Sequence, residues 1–349
     1  MIFKTLYGLL LAAILAASPL KAAEFAFVPF ANLTGWAQDN HQQALEVFAK
    51  SCGSIRSTDD IPASDWRGVC ALAQTNPGPA KRFFETHFRP VRITRGDDSL
   101  FTGYFEPVLP GSRHQTVEYK YPLYGVPPEL PRGQVWKTRA ELESGVLSGR
   151  GLELVWLNDP VDAFFVHVQG SSRFTLTDGS VIRLGFANRN GHQYRSVGRQ
   201  MIELGLLQSG QASIGKIRAW VRANPGSGEM ALQLNPSFIF FQELEIPADL
   251  GPIGALQYPL TAMRSIAVDP DFTPLGAPAY VMMPAGSASI NRLMIAQDTG
   301  SAINGAQRAD IFFGSGLDAG NNAGRIRYSG QLITLVPRAT ALRLSGRMN

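Results

Sequence analysis

After Pro236 the sequence runs to its end in short apolar stretches, such as SFIFFQEL, LMIA and IFFG, punctuated by Gly and Pro. Interruptions at that spacing favour strands over long helices, so the C-terminal third must bury its apolar residues on β structure. Short strands broken in this way predict a barrel or a sandwich. A second constraint applies to the same region: from Ile246 to Asn349 there is no Glu, His, Lys or Cys. Any proton transferred there falls mainly to an aspartate.

Upstream the chain changes character. Ala44, Leu45, Val47 and Phe48 recur at helical spacing, and the pattern returns in PAKRFFETHF at 79–88, behind Pro79. SLFTGYFEP at 99–107 alternates instead, with Phe101, Gly103 and Phe105 on one face and Thr102, Tyr104 and Glu106 on the other, a strand stopped by Pro107. Pro107, Pro110, Pro122, Pro127, Pro128 and Pro131 then impose loops and edge strands. Thr138 and Glu141 have capping-box spacing for a short helix that Gly145 would end. LELVWLNDP and DAFFVHVQGSSRFTL read as strands, the second placing Phe165, His167 and Gln169 on one face. YRSVGRQMIELGLL and SIGKIRAWVRANP read as helices, the latter capped by Ser213. The residues up to 104 and the C-terminal region are therefore expected to share one domain, with the middle inserted.

The N-terminus, MIFKTLYGLLLAAILAASPLKAAEF, carries Lys4, an apolar run from Leu6 to Ala17 and the small pair Ala22 and Ala23. That run is shorter than the roughly 20 residues needed to cross a bilayer, so residues 1–23 are expected to be a cleaved secretory signal. No cysteine follows it to carry a lipid, and the mature chain is expected to be exported. The net charge of +4 suits an acidic or negatively decorated polymer, or simply a solvated surface. No Lys/Arg run interleaves with aromatics, so nucleic acid is not an expected partner. Cys52 and Cys70 can close a short loop as a disulfide in an oxidising compartment; two reduced thiols are the alternative.

No two of His41, His87, His114, His167 and His192 share an i, i+3 or i, i+4 spacing, and no nucleophile elbow, P-loop or dinucleotide motif occurs. Neither a metal nor a cofactor is expected. Carboxylates beside aromatics and amides remain. A carbohydrate site uses such parts: ring faces for the sugar, donors and acceptors for its hydroxyls, and a carboxyl whose burial holds a proton near neutral pH. Thr102, Tyr104, Glu106 and Gln169 are candidates for holding glycan. In AQDTGSAINGAQRADIFFGSG, residues 296–316, Asp298 ends an apolar run where it can bond the amides of the next turn. Asp310 emerges at the start of IFFG beside a glycine-rich loop, and Thr299, Gly300 and Ala302 of that loop are further candidates for glycan contact.

The ordered blocks TGYFEP, DPVDAFFVHVQGSSR, NRNGHQYRSVGR, NPSFIFF, RSIAVDPDFTPLGAPAYV and AQDTGSAINGAQRADIFFGSG resemble the membrane-bound lytic murein transglycosylase A family, with its C-terminal 3D region. The resemblance runs from about residue 99 to residue 337. It implies a mainly β protein with N-terminal helices: a double-psi β-barrel domain from 24–104 and 245–349, a second β domain inserted at 105–244, and a substrate groove between them. It also implies cleavage of the β-1,4 bond between N-acetylmuramic acid and N-acetylglucosamine of peptidoglycan without water, leaving 1,6-anhydromuramoyl ends. The aspartate of the family's G-x-x-R-x-D-F/I-F-x-G-x-G pattern is Asp310, the single catalytic carboxyl; that of A-Q-D-T-G is Asp298, a supporting one. Ser301 stands where D-T-G-G-A-I has its second glycine, and the lipidated cysteine common in the family is absent. The implied partners are peptidoglycan glycan strands and cell-wall protein complexes, with the protein itself a monomer. Two other functions fit the same residues: a polysaccharide hydrolase using both aspartates, and a peptidoglycan-binding protein without turnover.

Overall fold

The computed structural model describes residues 23–345 apart from Asp97 and Ala248, so the signal segment expected at 1–23 lies outside the described residues except for Ala23. Strands form where the sequence alternates or runs short and β-branched, and they sort into three sheets. The largest has nine strands in the order Glu24–Phe27, Phe88–Thr94, Gln331–Pro337, Pro278–Ala285, Ala288–Asp298, Ser265–Val268, Arg308–Ser315, Leu100–Glu106 and Arg327–Tyr328. All of them come from before residue 107 or after residue 264. The chain between supplies a four-stranded sheet, Val108–Gly111, Ser171–Leu176, Val181–Arg189 and Ile239–Glu243, and a two-stranded one, Tyr121–Tyr124 with Glu153–Leu157.

Helices His41–Ser51, Arg67–Thr75 and Ala80–His87 cover one face of the large sheet. Phe48, Trp66, Phe83, Phe84 and Phe88 meet Tyr280, Leu293, Ile295, Ile333 and Leu335 there in one buried cluster. On the opposite face Phe101, Ile266, Met294, Ala296, Ala309 and Ile311 form a second cluster. Successive residues of the 288–298 strand enter different clusters, so the centre of the sheet is apolar on both faces, as full burial requires. Arg264 fastens the N-terminal segment to this core, donating to Asp39 at 2.9 Å and to Leu293 O at 2.7 Å. Cys52 and Cys70 form a disulfide that joins the end of the 41–51 helix to the 67–75 helix.

Helices also occur in the middle of the chain, at Pro160–Gln169, Val197–Glu203, Ile214–Ala223 and Ser227–Leu232, so the protein is mixed helix and sheet rather than mainly β. The capping box of Thr138 and Glu141 and the Ser213 cap are present as expected. DAFFVHVQ is a correction. Its aromatic and β-branched run reads as strand, yet it is helix. Asp159 accepts from Val161 N at 2.8 Å and Asp162 N at 3.1 Å, Pro160 occupies the first turn where a missing N–H costs nothing, and Gly170 ends it at φ 82°. Start and stop signals outweigh composition here. His167 consequently leaves the face that Phe165 and Gln169, four residues apart, still share, because helical residues two apart point away from each other.

Replacing both cysteines by alanine is expected to lower the unfolding free energy by about 3 kcal/mol, since the bond closes a loop of moderate length. Urea midpoints of the oxidised protein and the double variant provide the comparison.

Candidate active site

Leu100–Glu106 and Arg308–Ser315 pair in parallel, which sets Thr102 opposite Asp310. Ser265–Val268 lies on the other side of Arg308–Ser315, with Ala267 opposite Asp310, and pairs in turn with Ala288–Asp298, with Ala267 opposite Asp298. One row across four strands therefore reads Asp298, Ala267, Asp310, Thr102. The two aspartate backbones stand two strand spacings apart, roughly 10 Å, with only a methyl side chain between them.

Regular alternation would not deliver Asp298 to that row. Met294 and Ala296 face the core shared with Ile266, and a residue two further on would face it too. The register slips between Ile266, opposite Ala296, and Ala267, opposite Asp298. Gln297 is the extra residue of this bulge, and the bulge turns Asp298 onto the face of Asp310. Gln297 is buried and held there: its Nε2 donates to Ser51 Oγ at 3.1 Å, and its Oε1 accepts from Ser265 Oγ at 2.5 Å.

The two carboxyls are held differently. Asp310 Oδ1 accepts from Thr102 Oγ1 at 2.7 Å, and Arg308 Nη2 donates to the same Thr102 oxygen at 2.9 Å. Burial raises Asp310 from 3.8 to about 6; the Thr102 bond and the Arg308 charge oppose the rise, and the charge of Asp298 adds to it. Asp298 accepts from three donors: Tyr104 OH, Ala255 N and Thr299 N, each at 2.9 Å. Burial raises its pKa as well, and those three bonds oppose the rise. Asp310, with one donor on one oxygen, is the better proton carrier. Burial, with the charges of Asp298 and Asp310, drives the Tyr104 hydroxyl well above its usual range, so it stays a donor. Its ring lies against Phe312, with centroids 5.3 Å apart.

Of the residues singled out in the sequence, Thr102, Tyr104, Asp298 and Asp310 are brought together. Thr299 adds its backbone N–H, and Gly300 and Ala302 lie exposed on the turn beyond. Gln169 accepts from Phe105 N at 3.1 Å, linking the end of the 160–169 helix to the site strand. Glu106 departs from the expectation that it holds glycan. It is 0% exposed, lies 2.8 Å from both Arg173 and Arg183, and accepts from Ser315 Oγ at 2.6 Å. A carboxylate so enclosed fastens the end of the site strand to the four-stranded sheet.

Arg308, Gln297 and Asp269 were not singled out. Asp269 accepts from Gly305 N at 2.6 Å and so pins the loop between the two aspartates. For Arg308 the signal was available, as the arginine of the quoted pattern; nothing local marks a bulge at Gln297. Among the described residues no group of three or more His, Cys, Asp or Glu could hold a metal ion.

Residues 100–242 match the MltA specific insert domain and residues 264–336 the 3D domain. A membrane-bound lytic murein transglycosylase from Agrobacterium tumefaciens superposes with a TM-score of 0.84 at 32% identity, covering 92% of this chain and 99% of that one. The chain belongs to the MltA family. The membrane-bound lytic murein transglycosylase A of Vibrio cholerae is 34% identical over 67% of this chain and 64% of its own length, so that match spans just under two thirds of the curated relative. Escherichia coli MltA with bound chitohexaose aligns at 28% identity and a TM-score of 0.68, over 84% of this chain and 90% of that one. Asp269, Asp298 and Asp310 all fall within the 3D match, and Thr102 and Tyr104 within the insert match. Among the described residues no helix is long and apolar enough to cross a membrane.

Glu106→Ala, which leaves two arginines facing a vacated carboxylate site, is expected to cost about 3–5 kcal/mol in a urea titration. Asp310→Asn should act in the opposite direction. A carboxyl raised in the folded state to about 6 binds more protons folded than unfolded, so stability falls as pH climbs from 3.8 to about 6 and is level above. The variant should gain on the order of 2–3 kcal/mol at pH ~8 and nothing near pH ~3, where both states are protonated.

Proposed function

We propose that the protein is a peptidoglycan lytic transglycosylase in which Asp310 serves first as acid and then as base. The observation that carries this reading is the pair of unequal carboxyls: Asp310 raised to about 6 with a single donor, Asp298 committed to three. The proton of Asp310 passes to the glycosidic oxygen as the bond from C1 of N-acetylmuramic acid breaks. The oxocarbenium-like centre is stabilised by the N-acetyl group of the same sugar. The ionised Asp310 then takes the proton of the C6 hydroxyl, whose oxygen bonds to C1 and closes the 1,6-anhydro ring. Asp310 ends protonated, and no water is consumed. A tethered hydroxyl has a high effective concentration, so it takes the place of an activated water.

A hydrolase would need its second carboxylate free to attack or to draw a proton from water. Asp298 has its oxygens occupied by Tyr104, Ala255 and Thr299, which suits it to order the 298–305 turn and to keep Asp310 protonated by its charge. The chitohexaose bound by the Escherichia coli relative supports a β-1,4-linked N-acetylated glycan as the ligand class here. Tyr104, Gln169, Thr299, Gly300 and Ala302 are the proposed glycan contacts. We take residues 24–104 and 245–349 as a double-psi β-barrel domain, 105–244 as the inserted domain and the groove as lying between them. Support comes from the mixed parallel and antiparallel neighbours of the large sheet and from the separate strand membership of the middle section. Export to the periplasm, a monomeric state and association with cell-wall proteins complete the proposal, resting on the N-terminal apolar run and the substrate class.

Asp310→Asn is expected to abolish release of anhydro-muropeptides from purified sacculi while glycan binding persists; unchanged release would refute the assignment. Mass spectrometry reads the chemistry directly, because anhydro products are one water lighter than hydrolysed ones. In the unsubstituted protein kcat/KM should fall above pH about 6, where Asp310 loses its proton, by about tenfold per unit once well past it.

A further inference from the structure

Thr102 Oγ1 lies between Arg308 and Asp310, and chemistry fixes the role of the first. A guanidinium only donates, so the 2.9 Å contact from Arg308 Nη2 makes Thr102 Oγ1 an acceptor there. The hydroxyl has one hydrogen, and it is directed to Asp310 Oδ1 at 2.7 Å. Arg308 is itself immobilised: it is 9% exposed, and its Nη1 donates to Leu100 O at 3.1 Å and Ala309 O at 2.6 Å. Turning round to accept from a protonated carboxyl as well would fill both lone pairs of a hydroxyl already bonded by Arg308, take its one hydrogen away from Asp310 Oδ1, and aim the acid's proton into the protein.

We propose that Arg308 is a positioning residue for the reaction: by donating to Thr102 it fixes that hydroxyl as a donor to Asp310 Oδ1, and so leaves the proton on Oδ2, the oxygen that meets the substrate. The proposal rests on the reading of Asp310 as the acid. It also removes Thr102 from the glycan-holding set, because its only hydrogen is committed within the protein. Arg308 acts through geometry as well as charge. Its planar fork reaches three acceptors at once, which a lysine ammonium on a flexible stem does not reproduce.

The charged and titratable groups around Asp310 are Asp298, Tyr104, Arg308 and, beside Thr102 on the edge strand, Arg327. Substitutions at 102 and 308 leave Asp298, Tyr104 and Arg327 in place, so their fields are common to every variant. With the full chain and sacculi, Thr102→Val and Arg308→Met are each expected to lower kcat by about tenfold or more with KM within about twofold. Both should move the alkaline limb of the pH profile upward, since each removes support for ionised Asp310. Arg308→Lys keeps the charge, so its limb should stay while kcat falls. Thr102→Ser should recover most of the kcat lost in Thr102→Val. The Thr102→Val/Arg308→Met double variant should be no worse than the poorer single, because the two act in one chain.

Multiplying losses in the double variant, full kcat in Thr102→Val, or a change confined to KM would each overturn the proposal. Should Arg308→Met not fold, Thr102→Val against Thr102→Ser, with Arg308→Lys, decides it by the same readings. Asp310→Asn run alongside separates the two levels. An inactive Asp310→Asn with a normal Thr102→Val sinks only the role of Arg308, whereas an active Asp310→Asn sinks the acid assignment itself.

Discussion

The parallel pairing of Leu100–Glu106 with Arg308–Ser315 is the constraint on which the site depends. Two strands some two hundred residues apart in sequence are held by a ladder of backbone bonds, and the ladder alone decides which side chains face one another. It sets Thr102 against Asp310, brings Arg308 within reach of Thr102, and lets the Tyr104 hydroxyl extend to Asp298. A slip of one residue would send Thr102 and Tyr104 to the opposite face. The strand is secured at its far end as well, where Glu106 is buried between Arg173, Arg183 and Ser315.

Ser265–Val268 is the second part of that arrangement. Ala267 lies between the two aspartates, and its small side chain keeps the row open. The bulge at Gln297 lets a strand whose preceding residues serve the core deliver a carboxylate to the row that holds Asp310. The bond from Gln297 to Ser51 and the pairing of Asp39 with Arg264 connect this geometry to the N-terminal helical cover. The helices that cover the large sheet thus also steady the strand that carries Asp298.

Much of this was legible in the sequence, for identifiable reasons. The alternation of SLFTGYFEP fixed the shared face of Thr102 and Tyr104, and the absence of Glu, His, Lys and Cys after Ile246 singled out aspartate. The capping residues Thr138 and Ser213 marked helix starts correctly. The helix at 160–169 was misread because its aromatic and β-branched composition was weighed above Asp159, Pro160 and Gly170, which in the folded chain supply the cap, the first turn and the left-handed stop. Glu106 was misread for another reason. Alternation assigns a face but not what covers it, and the two arginines that bury Glu106 come from strands that begin more than sixty residues later.

The sequence by itself determined the kind of chemistry available and the family, because both are carried by residue identities in a fixed order: aspartates, the arginine before Asp310, and glycines at turns. Only the tertiary structure decided how the two aspartates differ. That difference lies in burial, in one hydrogen-bond donor against three, and in the direction of a single hydroxyl, and each is set by neighbours that the folded sheet brings together from distant parts of the chain.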